Sequence, residues 1–420
     1  MTAETNADSV VVGAGIVGVM AALYLQAEGR KVLLVEREEV AAGASAGNAG
    51  ILAFPEIIPV ASPGIMFKAP KWLLDPLGPL SVPPTYGLKI APWLFHFWRA
   101  SSRKAFAHGI AAQTEMMHLA AAEMRRMRET PELAGFFDTT GTLDLYDSEA
   151  SFDAAASDWL EKEKAGFQFT SVGRAEIDRL QPGLAPQFRH AMYSPAGIQV
   201  NDPKGLTRAV ADLVTARGGA LRKGEVRDIA PNADGAIITL DDGATIKATS
   251  VVVAGGAWSK TLAARLGDPV PLETERGYNT TLPAQAFPLQ RQLYFNDHAF
   301  VVTPLSEGIR VGGAVELGGL ELAPNYRRSK ALLAKAARFL PDLKTEGGRE
   351  WMGFRPSMPD CLPVIGRSSA SPAVLYAFGH GHLGLTQSAA TGRLIGELAA
   401  GRPASLSLAP FRPGRFLRGG

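Results

Sequence analysis

The chain has 420 residues, 46% hydrophobic and 20% charged, with a net charge of +2. That length admits about two to three domains, and the near-balanced charge gives no electrostatic case for a nucleic-acid partner. A single cysteine, Cys361, excludes an intramolecular disulfide and fits a reducing compartment; seven histidines without ligand spacing give no metal site.

The first informative segment is an apolar strand over residues 8–12 that runs into Gly13-Ala14-Gly15-Ile16-Val17-Gly18. An alanine-rich helix over 16–28 follows, then a second apolar strand, 31–36, ending in Glu36 and Arg37. The N-terminal apolar stretch reads as a sheet strand rather than a targeting signal. No window reaches the about 18–20 uninterrupted apolar residues of a membrane span. Each glycine has a separate task in holding a dinucleotide. Gly13 turns the chain off the strand, Gly15 lets backbone N–H groups approach a pyrophosphate, and Gly18 lets the helix pack close to the sheet. Glu36, about 20 residues past the turn, can accept from a ribose diol. An acid there repels a 2′-phosphate, which disfavours NADP and leaves NAD and FAD.

Residues 43–50 are small and flexible, again fit for close approach. Between 55 and 100, prolines interrupt a stretch carrying Trp72, Leu73, Leu74, Trp93, Leu94, Phe95, Phe97 and Trp98. Two readings stand: a hydrophobic lid, or a peripheral membrane patch flanked by Lys71, Lys89, Arg99, Arg103 and Lys104. The pattern then predicts an amphipathic helix over 110–129, whose Met117, Ala120, Met124 and Met127 read as core. A strand at 143–146 and a helix over 149–164 follow. Asp202-Pro203 starts a further helix. β segments come next at 225–229, 236–240 and 244–248, then a buried strand over 250–254 running into Gly255 and Trp258. From 276 to 315 the pattern alternates as in antiparallel sheet, and a helix over 328–339 closes the block. A last strand at 375–378 leads through Gly379-His380-Gly381-His382-Leu383-Gly384-Leu385-Thr386 into a helix that ends near 400.

The second glycine turn suits a long ligand held at both ends: pyrophosphate at the first turn, a ring system at the second. A helix N-terminus there would stabilise the negative charge of a reduced flavin. The alternative is an ordinary tight turn in a chain with 45 glycines.

Taken with residues 351–356, Pro359-Asp360 and residues 363–366, these motifs stand in an order that resembles the FAD-dependent D-amino-acid oxidase superfamily. Residues 47–50 and Arg276-Gly277-Tyr278 are most similar to its bacterial D-amino-acid dehydrogenase branch. The resemblance implies an α/β fold: an interrupted Rossmann-type FAD-binding domain (residues 1–85, 166–268 and 351–420) and a substrate-binding domain on an antiparallel sheet (86–165 and 269–350). It implies non-covalent FAD, since residues 351–360 lack the cysteine that links the flavin in the sarcosine oxidase branch. The ADP half would lie against Gly13, Gly15, Ile16, Val17, Gly18, Glu36 and Arg37. Ser45, Asn48, Ala49, Gly50 and Ile51 would line pyrophosphate and flavin. Val226 would hold adenine, Ala254, Gly255 and Trp258 would pack over the cofactor, and Gly381, His382, Leu383, Gly384, Leu385 and Thr386 would hold the flavin ring.

Arg355 matches the arginine that clamps a substrate carboxylate, a role its planar, permanently charged guanidinium suits; the alternative is a structural salt bridge at a strand end. Tyr278 is expected to donate a phenolic hydrogen bond at the substrate, or else to be a buried sheet aromatic. Arg276 is either a second anion contact or an interface charge, and His382 either lines the pocket as a catalytic candidate or is a loop residue. The implied reaction is oxidation of a D-amino acid, or of a cyclic secondary amine such as a proline derivative, at the α-carbon. Electrons would pass through FAD to a quinone-type acceptor, in the cytoplasm or on the inner face of its membrane. The rival readings are a glycine- or sarcosine-type oxidase using oxygen, and a non-catalytic FAD-binding redox module.

Overall fold

The computed structural model describes residues 5–66 and 80–416; Lys71, Trp72, Leu73 and Leu74 lie outside the described residues. The first strand, Thr5–Val12, pairs in parallel with Val32–Glu36 on one side and Thr245–Val253 on the other. Ala220–Lys223 extends the parallel sheet beyond Val32–Glu36. The nine-residue strand Thr245–Val253 is long enough to take two further partners. Gly235–Leu240 pairs antiparallel along its first half, and Val374–Phe378 pairs in parallel along its second. The segments expected separately at 244–248 and 250–254 are thus one continuous strand. Its buried valines run without alternation because both faces of the sheet are covered.

Helices Ile16–Ala27, Arg103–Glu129, Pro203–Ala216 and Gly384–Ala399 share one apolar core with this sheet. Met116, Ala120, Met124 and Met127 of the long helix sit in that core. Asp202 caps its helix, accepting from the Gly205 N–H at 2.8 Å. The Ile16–Ala27 and Gly384–Ala399 helices touch through glycine: a Cβ on Gly392 would lie 2.8 Å from the Met20 carbonyl oxygen. Two elements that each begin at a glycine turn are thereby held side by side.

A second sheet runs in the order Arg349–Ser357, Glu273–Leu282, Gly308–Leu317, Phe300–Leu305, Gln292–Phe295, Thr142–Tyr146, His190–Ser194, Thr170–Gly173. It is antiparallel along this path except where Gln292–Phe295 meets Thr142–Tyr146. The fold class is as expected, an interrupted parallel α/β sheet beside an antiparallel one. The segment boundaries differ. Thr170–Gly173 and His190–Ser194 belong to the antiparallel sheet, and so does Arg349–Ser357, although 166–268 and 351–420 are expected with the cofactor. Arg103–Glu129, expected with the substrate sheet, packs on the parallel side. The helix expected over 149–164 is two, Glu149–Ala154 and Ala156–Lys164.

Candidate active site

A cavity of about 1120 Å³ lies between the two sheets. Gly13, Gly15, Ile16 and Val17 line it where the first strand becomes helix. Gly13 needs its lack of a side chain twice over: its φ is +103°, and a Cβ would sit 2.6 Å from the Ala254 carbonyl oxygen. Gly18 stands behind the wall, where a Cβ would collide with the Gly13 carbonyl oxygen, so the helix descends onto the turn as expected. The helix has no side-chain cap of its own at Gly15; Ser45 Oγ accepts instead from the Ile16 N–H at 3.0 Å. Glu36 accepts from the Ala14 N–H at 2.7 Å and the Glu38 N–H at 3.1 Å, which fixes its carboxylate at the cavity rim.

Arg37, Val226, Ala254, Gly255 and Trp258 line the same end. The Arg37 guanidinium carbon lies 3.6 Å from the centre of a Trp258 ring. Asn48, Ala49 and Ile51 continue the wall, held from behind. Arg310 donates to the Asn48 carbonyl oxygen at 2.5 Å and Asn279 to that of Gly47 at 3.0 Å. Gly50, at φ +75°, and Thr386 lie outside the lining. Thr386 Oγ1 accepts from the Ala53 N–H at 3.0 Å, so it pins that segment.

At the other end the turn brings Gly381, His382, Leu383, Gly384 and Leu385 to the cavity. Gly379 and Gly381 take positive φ, +84° and +55°. His380 is buried against Thr391, with Nε2 2.9 Å from Oγ1, and burial pushes its imidazole down to about 3. His382 keeps accessible surface, but that surface opens into the cavity. Enclosure by protein lowers its pKa and so does Arg355, while Glu275 and Glu56 pull it back up. Cys361 also borders the cavity, its thiol pushed up to about 12 by burial.

The strand pair Glu273–Leu282 and Arg349–Ser357 decides which predicted substrate residues meet. Side chains alternate along a strand, and Glu275, Gly277 and Asn279 face the cavity, as do Gly353, Arg355 and Ser357. Arg355 stands opposite Glu275 in register. Its guanidinium lies across Gly277, where a Cβ would be 2.5 Å from its Cζ. Neither the Arg355 guanidinium nor the Glu275 carboxylate makes a hydrogen bond or ion pair with any described residue. Burial lowers the arginine's pKa and Glu275 raises it.

Arg276, expected as a second anion contact or an interface charge, does not line the cavity. It falls on the opposite face, 1% exposed, where it pairs with Glu316 at 2.9 Å and donates to the Leu322 and Ala323 carbonyl oxygens. It is a structural charge that ties down the chain after the Gly308–Leu317 strand. Tyr278 reaches the cavity wall, but its hydroxyl donates to the same Glu316 at 2.5 Å and accepts from the Asn325 N–H at 3.0 Å. Burial and that carboxylate push the phenol up to about 12. The donor expected at the substrate is therefore already committed. Glu275 and Arg310 stand in no sequence motif, and Gly277 stands in one without a role; the period-two alternation around Arg276 is the signal that puts Glu275 and Gly277 on the cavity face.

Farther along the cavity, Glu56, Tyr294 and Asn296 form a polar wall. Glu56 pairs with Lys162 at 3.4 Å, which lowers its pKa against the effect of burial. Asp144, behind it, is raised to about 7 by burial.

A glycine cradle at a helix N-terminus, a fixed acid at the rim and a second glycine turn at the far end fit a dinucleotide carrying a ring system. That combination defines a flavin-dependent oxidoreductase. Residues 8–398 match the family DAO, FAD dependent oxidoreductase, and the chain belongs to it. It is 34% identical to a D-amino-acid oxidase of Bradyrhizobium diazoefficiens, over 97% of this chain and 98% of that one. It is 30% identical to a D-amino acid dehydrogenase of Xylella fastidiosa, over 94% and 93%. The structure of glycine oxidase from Geobacillus kaustophilus superposes with a TM-score of 0.76 at 24% identity, covering 98% of this chain and 99% of that one. The cofactor is FAD, and among the described residues no helix is long and apolar enough to cross a membrane.

Proposed function

We propose that this enzyme oxidises a D-amino acid, or a cyclic secondary amine such as a proline derivative, at the α-carbon, and that its electrons pass through non-covalent FAD to a quinone-type acceptor. The observation that carries the reading is Arg355: a cation without a hydrogen-bond or ion-pair partner among the described residues, facing the cavity from a strand beside the glycine turn at 379–386. A guanidinium in that state is complementary to a carboxylate and keeps its charge in a desolvated pocket. The names of the two curated relatives favour an amino acid of D configuration.

FAD, when bound, supplies the two-electron acceptor. The chain's own part is to bind and orient: Arg355 would fix the carboxylate, and with it the direction of the Cα–H bond, so that catalysis is chiefly positioning. Gly13, Gly15, Ile16, Val17, Glu36 and Arg37 would hold the ADP half. Gly381 to Leu385 would hold the ring, with His382 on the pocket wall.

The Gly87–Ala100 helix supports both readings of the tryptophan-rich stretch at once. Trp93, Leu94 and Phe97 face the cavity, while Leu88, Phe95 and Trp98 are 93%, 53% and 58% exposed. The inner face acts as a lid; the outer one fits peripheral contact with a membrane carrying quinone.

The test is anaerobic mixing of the FAD enzyme with a panel of D- and L-amino acids. Bleaching of the flavin by D-enantiomers is expected, with faster reoxidation by a quinone analogue than by oxygen. No bleaching with any amino acid or amine refutes the reading. Arg355→Ala should lower kcat/KM by about 100-fold or more with FAD retained; loss of FAD on purification would count against its role.

A further inference from the structure

We infer that Glu275 is a second substrate anchor, taking the α-amine of the amino acid whose carboxylate Arg355 takes. The inference rests on the reading of Arg355 above and adds the other half of a zwitterion clamp.

Glu275 and Arg355 are directly opposed residues of an antiparallel pair. Such residues project from the same face with Cβ atoms about 4.5–5.5 Å apart, and an opposite-charge pair there ordinarily closes into an ion pair. Here it does not. Arg355 is turned aside over the bare backbone of Gly277, and Glu275 makes no side-chain hydrogen bond or ion pair with any described residue. Both border the cavity, and Glu275 is only partly buried. Two opposite charges kept short of contact in a largely enclosed space are costly unless something completes them. An α-amino acid does so, because its carboxylate and amine leave the same carbon. The carboxylate would accept from Arg355 while the ammonium N–H groups donate to Glu275, with no covalent bond made or broken.

The other titratable groups that sense Glu275 are His382, from the turn before the last helix, and Cys361, from the segment after the Arg349–Ser357 strand; Glu56, from the segment after the Ile51–Leu52 strand, acts on the same His382. His382 senses both anchors. Glu56 is already paired with Lys162, so Glu275 is the acid left for the amine.

The test uses the FAD enzyme and its Glu275→Gln variant with D-alanine and with propionate, which has the carboxylate but not the amine. Dissociation constants come from anaerobic flavin reduction and from perturbation of the flavin spectrum. The variant is expected to bind D-alanine about tenfold or more weakly and propionate as tightly as before or more so, since a nearby negative charge has gone. A negative charge beside the bound amine favours its protonated form, so the pH at which flavin reduction is half-maximal should fall in Glu275→Gln. Glu275→Asp should restore part of the preference for D-alanine over propionate. Parallel weakening of both ligands would mean that Glu275 only orients Arg355, and no change in either would make it a bystander; each overturns the inference. Arg355→Lys separates the two proposals: it should weaken both ligands, and if it weakens neither, the carboxylate reading itself fails.

Discussion

Gly277 is placed where a methyl group would sit 2.5–2.8 Å from the guanidinium of Arg355, which is the far end of a flexible side chain rather than backbone. The collision is relieved by moving the arginine, not the strand. In Gly277→Ala, therefore, the fold and the FAD site should persist while the guanidinium is pushed off its seat, at the cost of an unfavourable rotamer. Steady-state kinetics should show KM for the amino acid raised about two- to tenfold, with FAD content unchanged; an unaltered KM would mean that the guanidinium's position over Gly277 is immaterial. Gly13 is the contrasting case, since its φ of +103° and the Ala254 carbonyl leave nothing that can yield. This difference between glycines was not legible in the sequence. Gly13 announces itself by its motif. Gly277 matters only because register sets Arg355 opposite Glu275 and its guanidinium then lies across Gly277, and register depends on a partner strand more than 70 residues away in the chain.

Among the elements, the two glycine-led helices position the cavity. Their parallel alignment brings both glycine turns to one cavity, and it depends on Gly392 and Gly396 facing Met20 and Tyr24. A Cβ on Gly392 would lie 2.7 Å from Tyr24 Cδ2 and 2.8 Å from the Met20 carbonyl oxygen. Backbone cannot step aside there, so Gly392→Ala must separate the helices or tilt one. Overpacking of this kind costs about 1–3 kcal/mol. Thermal unfolding of the variant should show a lower Tm, and FAD titration a weaker Kd, although residue 392 is not among those that line the cavity. A variant with wild-type FAD affinity would show that the turns are positioned independently. Both turns and their helices were readable from glycine spacing and apolar periodicity, since those signals are local. Two strands of the 166–268 segment join the other sheet because sheet membership is not local: Thr170–Gly173 and His190–Ser194 carry no sign of which sheet they join. Arg276 was misplaced for a related reason. Its charge was visible, but the face it occupies is fixed by pairing with Glu316 on the neighbouring strand.

At the scale of the whole molecule, the cavity is assembled from segments near residues 13–17, 35–38, 43–51, 224–227, 254–262, 275–279 and 353–358, and from 377–385. No short stretch of chain builds the FAD site, so an unfolded chain has no means of binding the cofactor. FAD should then act as a ligand of the native state alone, stabilising it by RT ln(1 + [FAD]/Kd), about 2.7 kcal/mol at one hundred times Kd. Because the cofactor would touch both sheets, its removal should lower the stability of the molecule as a unit rather than loosen one part. Differential scanning calorimetry of apo and FAD-loaded protein should show a Tm that climbs by a few degrees and keeps rising with free FAD. The unfolding transition of the loaded form should be a single one. A Tm indifferent to FAD would contradict a site shared between the sheets. A loaded protein that still unfolds in two steps, only one of them moved by FAD, would place the cofactor's binding energy on the parallel sheet alone; the antiparallel sheet would then contribute substrate groups such as Arg355 and Glu275 without contributing to cofactor affinity.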